Sequence, residues 1–295
     1  MEKEEFEKIL KVVYFQRKKD AIKNDFGKTL IYGGSRPYPN APLISATASS
    51  YTGVGFTALG IPLCIYPSLT SRAEETMIYE PSLREEDLVY TDKELERMFS
   101  SYTSILFGNG VKDDENNLLL LKKILKGYRG DLIIDATGLS LYSKVEEDIR
   151  LKASPSYLLL TPHLGEASRL LSLDFHSRNP EDYLNRAKDF ASRYHVNILL
   201  KSVSSLFVTT DGKSYKSSYD PTPSLGKAGS GDGLAGYIAG LLANKDLSIS
   251  PDELVIFTDH FLHALAAYAE TKESPTILDI TRILPYLNDF VLSYR

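Results

Sequence analysis

Short apolar runs alternate with helical patterns along most of this chain, and this alternation constrains the fold more than any other feature. Apolar runs typical of buried strands lie at residues 28–32, 104–107 and 157–160, and residues 115–126 between the last two have helical spacing. Consecutive parallel strands need a long connection, which is usually a helix. The pattern therefore predicts an α/β fold of three layers, α/β/α, with a mostly parallel central sheet.

The remaining elements follow from the same patterns. Further strands are predicted at residues 56–59, 63–66, 132–135 and 197–201, with a hairpin partner at 205–209, and further helices at 42–51, at 183–194 and from 234 onward. Apolar residues also recur at helical spacing within residues 1–25, which predicts an N-terminal amphipathic helix. We expect this helix to pack on its own domain, and the alternative is a docking or oligomerisation arm. Residues 26–295 are interpreted as a single domain because they contain no internal repeat and no flexible linker.

Charge and cysteine content exclude several classes of function. With 34 basic against 39 acidic residues the formal net charge is −5, so the chain lacks the basic excess of a dedicated nucleic-acid binder. Its single cysteine, Cys64, cannot form an internal disulfide, which is typical of the reducing cytoplasm. No apolar run in the sequence approaches the ~18 residues of a membrane span. We therefore expect a cytoplasmic protein that binds a small molecule, and neither nucleic acid nor a membrane.

A glycine-rich turn at residues 227–236, Lys-Ala-Gly-Ser-Gly-Asp-Gly-Leu-Ala-Gly, carries the densest chemical signal. Glycines leave backbone N–H groups open, and the helix predicted behind them directs its positive end at the turn, which favours a bound phosphate. The spacing also satisfies the dinucleotide motif G-x-G-x-x-G, but residues 218–225 before it are loop-like rather than a strand. The alternative to a phosphate site is a helix start that is glycine-rich only for tight packing.

An acid inside an anion-binding turn indicates chemistry. Asp232 lies between Gly231 and Gly233 at the predicted helix start, where the helix dipole favours an ionised carboxylate. Such a carboxylate can accept the proton of a hydroxyl that attacks a bound phosphate, so we interpret Asp232 as a general base. By contrast, His260 and His263 have metal-ligand spacing on an apolar helix without a third ligand nearby, and packing is the favoured interpretation.

Several motifs together resemble one family. Gly-Ser-Gly-Asp before a helix is similar to the catalytic turn of ribokinase-like small-molecule kinases. Further segments resemble motifs of the ATP/ADP-dependent (S)-NAD(P)H-hydrate dehydratases: Gly-Gly-Ser at 33–35, Asn-Ala-Pro at 40–42, Gly-Val-Gly at 53–55, Thr-Pro-His-Leu-Gly-Glu at 161–166, and Leu-Lys at 200–201 with Asp-Gly at 211–212. The resemblance extends from about residue 27 to the C-terminus.

The resemblance implies a ribokinase-like fold and a nucleotide-dependent dehydration. In this family ATP or ADP phosphorylates the C6 hydroxyl of the hydrated nicotinamide ring, and phosphate then leaves to restore NADH or NADPH. The implied cofactors are Mg²⁺ and ATP or ADP as the phosphoryl donor. The implied partners are the hydrated dinucleotide and an adenine nucleotide, and we also expect a homo-oligomer.

Site residues are implied at the positions that match the family motifs. The resemblance makes Asp232 the catalytic residue. The expected substrate-binding residues are Ala41, Gly108, Gly110, His163 and Asp232. The expected nucleotide-binding residues are Lys201, Ser202, Val203, Ser204, Ser205, Gly229, Ser230 and Gly231. Glu166 has two interpretations, a helix-capping partner near His163 or a contact of Mg²⁺.

Departures from the family motifs keep two alternatives open. Ser202 stands where the family has glycine, residues 107–110 lack the proline of Pro-Gly-x-Gly, and residues 219–224 lack the usual glycine- and asparagine-rich sequence. The first alternative is a ribokinase-like kinase of a vitamin precursor or sugar, which would release a stable phosphate ester. The second is a nucleotide-binding relative without turnover.

Overall fold

One mixed sheet forms the middle layer of the protein. The computed structural model describes residues 1–72, 75–79, 85–173, 180–217 and 219–295. The strands are β1 (Lys28–Tyr32), β2 (Phe56–Gly60), β3 (Met77–Ile78), β4 (Ser104–Phe107), β5 (Asp131–Ile134), β6 (Tyr157–Leu160), β7 (Asn197–Leu200), β8 (Leu206–Val208) and β9 (Ser214–Lys216). They form a nine-stranded sheet in the order β3-β2-β1-β4-β5-β6-β7-β8-β9.

The sheet is parallel from β3 to β7, which confirms the mostly parallel sheet expected from the sequence. β8 pairs antiparallel with β7, as the predicted hairpin partner should, and β9 adds a further antiparallel strand. Because parallel strands point the same way, the residues that follow β4, β5, β6 and β7 all meet at one edge of the sheet. We therefore look for the functional residues at this carboxyl edge of the sheet.

Helices cover both faces of the sheet. They are α1 (Lys3–Phe15), α2 (Ala41–Ser50), α3 (Tyr66–Thr70), α4 (Asp92–Ser101), α5 (Glu115–Gly127), α6 (Thr137–Lys144), α7 (Glu147–Leu151), α8 (Leu164–Leu170), α9 (Pro180–Tyr194), α10 (Ser230–Ala243), α11 (Pro251–Glu270), α12 (Ile280–Ile283) and α13 (Leu287–Leu292). Neighbouring strand residues alternate between two cores: Ile31 packs in the core that includes α10 and α11, whereas Leu30 packs in the core that includes α5 and α9. The three-layer α/β/α arrangement is confirmed.

Two local predictions are wrong, and one lies partly outside the described residues. Residues 63–66 form no strand: Leu63–Ile65 is a 3₁₀ turn that leads into α3, because prolines at 62 and 67 favour a helix start over a strand. The N-terminal helix ends at Phe15 rather than near residue 25. Of the predicted loop 218–225, residue 218 is outside the described residues, and Pro223–Leu225 forms a 3₁₀ turn.

Glycines set the position of α10 against α2. A Cβ at Gly236 would lie 2.1 Å from the backbone oxygen of Ser45, and one at Gly240 would lie 2.8 Å from that of Ser49. Both distances are shorter than van der Waals contact allows, so the two helix backbones can approach this closely only because these positions carry no side chain. The start of α10 is thereby fixed relative to the loop after β1.

The N-terminal helix packs on the body of the protein through one apolar face. Phe6, Ile9 and Leu10 are buried, and the Phe6 ring stacks on that of Phe257 with 5.4 Å between centroids. The opposite face is charged, as the amphipathic pattern predicts. Among the described residues, no helix has the length and apolar character that crossing a membrane would require.

The burial of Phe6 yields a stability prediction. We expect Phe6→Ala to lower the free energy of unfolding by about 3–5 kcal/mol, because it removes a buried aromatic side chain and leaves a cavity. Denaturant titration and the thermal midpoint would measure the loss. Glu4→Ala, on the exposed face of the same helix, is the control and should change stability by less than about 0.5 kcal/mol. Equal stability of the two variants would show that α1 contributes nothing to the core.

Candidate functional site

The carboxyl ends of four adjacent strands place four polar side chains in one hydrogen-bonded cluster. They lie within two residues after β4, β5, β6 and β7 and are Asn109, Asp135, Thr161 and Lys201. Asp135 Oδ1 accepts hydrogen bonds from Thr161 Oγ1 at 2.8 Å and from Lys201 Nζ at 2.5 Å. Asp135 Oδ2 accepts one from Asn109 Nδ2 at 3.1 Å. The Asp135 carboxylate is 1% exposed, so Lys201 rather than water balances its charge.

The turns that carry this cluster depend on unusual backbone conformations. Gly108 has a φ of +126°, and a Cβ there would lie 2.1 Å from the backbone oxygen of Asp135, so the turn requires glycine. Ala136, directly after Asp135, has a φ of +49°, which is rare for a residue with a side chain. Such a conformation persists only where surrounding contacts hold it. The backbone therefore fixes the direction of the Asp135 side chain.

The general base predicted from the sequence lies in the first turn of α10, beside this cluster. The turn begins after Gly229, whose φ of +93° is left-handed, and a backbone hydrogen bond of 2.9 Å joins Gly233 N to Gly229 O. Asp232 Oδ1 accepts a hydrogen bond of 2.5 Å from Asn109 Nδ2. A single amide thus connects the Asp232 carboxylate to that of Asp135.

Burial decides the charge state of Asp232. Loss of hydration raises the pKa of the Asp232 carboxyl to about 6, with smaller upward effects from the charges of Asp135 and Glu166. The hydrogen bond from Asn109 and the charge of Lys201 act in the opposite direction. Burial thus outweighs the helix dipole that the sequence indicated, since the shift is upward. At pH 7 the carboxylate is nevertheless mostly ionised, as a general base must be.

A cavity of about 420 Å³ lies between the β7–β8 connection and the start of α10. Six of the expected nucleotide-binding residues line it: Lys201, Ser202, Val203, Ser205, Ser230 and Gly231. A Cβ at Gly231 would lie 3.2 Å from Lys201 Nζ, so the lysine charge is held against the helix start. Within the described part of the chain the buried Ser230 hydroxyl has no hydrogen-bond partner. The cavity end near α10 can therefore receive an anion.

The other two expected nucleotide-binding residues do not line this cavity. Ser204 Oγ donates to the backbone oxygen of Ser217 at 3.0 Å, which ties together the connections around β8 and β9. Gly229 supplies the left-handed turn before α10, where a Cβ would lie 3.1 Å from Ile44 Cδ1. Both residues lie next to residues that line the cavity without lining it themselves.

Three expected substrate-binding residues lie together on the β1 and β4 side of Asp232. Ala41 is the first residue of α2, and a Cβ at Gly110 would lie 3.0 Å from the Ala41 Cβ. Ser35 Oγ donates to the backbone oxygen of Gly110 at 2.6 Å. Gly108 and Gly110 flank Asn109, whose amide reaches Asp232. The loop after β4 therefore borders both the general base and the start of α2.

His163 and Glu166 form a capping box at the start of α8. His163 Nδ1 accepts hydrogen bonds from the backbone N–H groups of Gly165 at 3.0 Å and Glu166 at 3.3 Å. Glu166 Oε2 accepts one from the backbone N–H of His163 at 2.9 Å. The helix-capping interpretation of Glu166 is therefore confirmed. In the neutral imidazole the proton sits on Nε2, which lies 3.5 Å from Glu166 Oε1. The His163 side chain is 60% exposed.

Sequence reasoning assigned neither Asn109 nor any residue of α11 to the site or to its cavity. Asp259 and His263 line its inner side, and the signal for Asp259 was an acid within an apolar stretch of helix. His263 stacks on Tyr219 with 3.5 Å between ring centroids and lies 3.1 Å from Thr222 Oγ1. Burial lowers the pKa of His263 to about 4. These contacts agree with the packing interpretation of this histidine rather than with a metal site.

Comparison with known proteins identifies a family. Residues 29–288 match the sequence profile of the family described as NAD(P)H-hydrate dehydratase. The ADP-dependent (S)-NAD(P)H-hydrate dehydratase of Lactococcus lactis is 25% identical over 289 residues, covering 98% of this chain and 98% of that protein.

Two further similarities concern length and fold. The bifunctional NAD(P)H-hydrate repair enzyme Nnr of Thermofilum pendens is 29% identical over 91% of this chain but only 51% of its own length. The chain thus spans about half the length of the bifunctional relatives that it matches. A crystal structure of a ribokinase-like superfamily protein from Enterococcus faecalis superposes with a TM-score of 0.78 at 25% identity, covering 98% of this chain and 94% of that one. The fold is ribokinase-like.

The raised pKa of Asp232 predicts that the stability of the folded protein depends on pH. The folded protein holds the Asp232 proton up to a pH of about 6, whereas the unfolded chain loses it near pH 4. Between these values the native state binds more protons, so stability falls as pH rises, and above pH 6 the full cost is present. We expect Asp232→Asn to be more stable than the wild type at pH 8, by up to about 3 kcal/mol, and equally stable near pH 4.

Urea titrations at pH 4, 6 and 8 would measure this difference. Asp189→Asn, which replaces an exposed carboxylate on α9, is the control and should show no comparable gain. A wild type at least as stable as Asp232→Asn at pH 8 would contradict the upward shift.

Proposed function

Because the chain belongs to the NAD(P)H-hydrate dehydratase family, we propose that it dehydrates (S)-NADH or (S)-NADPH hydrate at the expense of ADP or ATP. This is a metabolite-repair reaction that returns a damaged cofactor to use. The proposal draws on the named activity of the relative from Lactococcus lactis, which matches nearly the whole of both chains. The whole activity, its substrates and its partners are part of the proposal.

One observation carries it: Asp232 stands between the two sides of the site. Ser230 and Gly231, directly before it, line the cavity of about 420 Å³. On its other side, the Asn109 amide joins it to the loop that borders Ala41. A nucleotide in the cavity and a hydroxyl compound at that loop would therefore meet at this carboxylate.

The proposed reaction has two steps whose atoms balance. In the first, the substrate C6 oxygen attacks the terminal phosphorus of ADP or ATP, its proton passes to Asp232, and AMP or ADP leaves. In the second, the C6–O bond breaks, phosphate leaves with the bonding electrons, and C5 loses a proton to form the C5=C6 double bond. Phosphate is a far better leaving group than hydroxide. Asp232 contributes to the first step as general base.

The remaining site residues bind and orient in this proposal. Backbone N–H groups at the start of α10 and the Lys201 ammonium stabilise the charge that develops on the transferred phosphoryl group. The small residues Ala41, Gly108 and Gly110 leave room for the substrate. The exposed Nε2–H of His163 donates a hydrogen bond to a substrate oxygen. Nucleotide contacts are assigned to the six residues that line the cavity, namely Lys201, Ser202, Val203, Ser205, Ser230 and Gly231. Ser204 and Gly229, also expected at the nucleotide, hold the adjoining segments in place.

Magnesium fits this site only as a companion of the nucleotide. The described residues contain no group of three or more histidine, cysteine or acidic side chains that could hold a metal ion. Mg²⁺ usually keeps several waters and binds through phosphates and one or two carboxylates, so it needs no such group. Glu166 is engaged in capping α8, and we propose that it contacts the ion through water. When bound, the ion would neutralise phosphate charge.

The proposed activity is tested with purified protein, Mg²⁺, NADH hydrate and either ADP or ATP. We expect the near-ultraviolet absorbance of NADH to return with one equivalent of phosphate released per NADH. Folded protein that binds nucleotide but restores no NADH with either donor would favour the relative without turnover. A stable phosphate ester formed from a vitamin precursor or sugar would favour the kinase instead.

Cell fractionation would test the expected cytoplasmic location, and light scattering would test the expected homo-oligomer.

Asp232→Asn tests the base within this reaction. Asparagine keeps the shape of the side chain and can still accept the Asn109 hydrogen bond, but it cannot take a proton. We expect kcat to fall by about 10²–10⁴-fold while nucleotide affinity changes little. Asp189→Asn is the surface control and should retain full activity. A kcat above half that of the wild type, under conditions where chemistry limits the rate, would remove Asp232 from the mechanism.

A further inference from the structure

Asn109 joins the two acids of the site through one side chain. Its residue is fully buried, and its backbone is held between two left-handed glycines, Gly108 and Gly110. The amide Nδ2 lies 2.5 Å from Asp232 Oδ1 and 3.1 Å from Asp135 Oδ2. An amide nitrogen carries two N–H donors, so each carboxylate receives one.

We propose that Asn109 is a positioning residue, whose amide fixes the Asp232 carboxylate at the substrate-side loop and separates it from the Asp135 carboxylate. The proposal rests on the proposed role of Asp232 as general base. It goes further in assigning a function to the variable position of the Gly-x-Gly turn.

The other end of the amide distinguishes this role from ordinary packing. Asn109 Oδ1 is buried and has no hydrogen-bond partner among the described residues, which is costly for a carbonyl oxygen. Asn117, a second buried asparagine, is paired at both ends: Oδ1 accepts from Leu88 N at 3.0 Å and Nδ2 donates to Lys112 O at 2.8 Å. Turning the Asn109 amide around would place its oxygen against two carboxylates. Its orientation is therefore dictated by the acids.

The charges around Asp232 make the hydrogen bond from Asn109 important for the Asp232 carboxylate. The charged groups that face Asp232 are Asp135 after β5, Lys201 after β7 and Glu166 on α8. Lys201 is already hydrogen-bonded to Asp135, and Asp232 accepts its hydrogen bond from the Asn109 amide. A hydrogen bond to a carboxylate favours its ionised form, and here it opposes the upward effect of burial on the Asp232 pKa.

The proposal is tested first without substrate. Asn109→Leu removes the donor and roughly keeps the volume, and Asn109→Ala serves if the leucine variant does not fold. The titration of Asp232 is followed by carbon NMR of the side-chain carboxyl, assigned with Asp232→Asn. We expect its midpoint to rise by about one pH unit, the scale of a hydrogen bond to a charged group. Asn117→Leu, the matched control, should leave the midpoint unchanged.

Kinetics provide the second measurement. We expect the acidic limb of the kcat/KM profile to move up by the same pH increment, so that activity falls about tenfold below the limb and recovers at alkaline pH. A role in folding alone would lower kcat/KM equally at all pH values. An unchanged midpoint would overturn the proposal, as would a uniform loss across the profile. If the protein dehydrates no hydrate, the proposed function fails, but the NMR midpoint still decides the role of Asn109.

Discussion

A carboxylate buried at the edge of a parallel sheet organises the rest of this site. A charge removed from water must be paired and hydrogen-bonded, or it destabilises the fold by several kcal/mol. Asp135 meets this requirement with Thr161 after β6, Lys201 after β7 and Asn109 after β4. Three different strand ends are thereby held together by one acid. Lys201, which lines the cavity, and the Asn109 amide, which reaches Asp232, are both positioned as a consequence.

The sheet and its functional edge could be predicted because their signals are local. Each central strand is a short apolar run in the sequence. A polar residue directly follows β5, β6 and β7, at positions 135, 161 and 201. Parallel strands bring such residues to one edge whatever their order. The strand predicted at residues 63–66 is wrong because this apolar run is not extended. The prolines at 62 and 67 favour a 3₁₀ turn and a helix start there. β3 has only two residues, too few for a pattern.

What could not be predicted depends on contacts between distant segments. Asn109 and Asp232 are 123 positions apart, and nothing near Asn109 in the sequence indicates that its amide meets two acids. The charge state of Asp232 shows the same limit. Its sequence neighbours point to the helix dipole, which favours ionisation, whereas the dominant effect comes from the chain that surrounds it and excludes water. Burial of this kind is a property of the assembled fold.

The glycine contacts between α10 and α2 have a consequence for how this protein can change over evolutionary time. Asp232 belongs to the first turn of α10, so any side chain that lifts the helix from α2 also displaces its carboxylate. Gly236 lies one helical turn farther along, and a Cβ there would overlap the backbone oxygen of Ser45. We therefore expect substitutions to be poorly tolerated along the whole contact between α10 and α2, and not only at the residues near the cavity. Under the role proposed for Asp232, substitutions at these glycines would be selected against through lost activity even where the fold survives them.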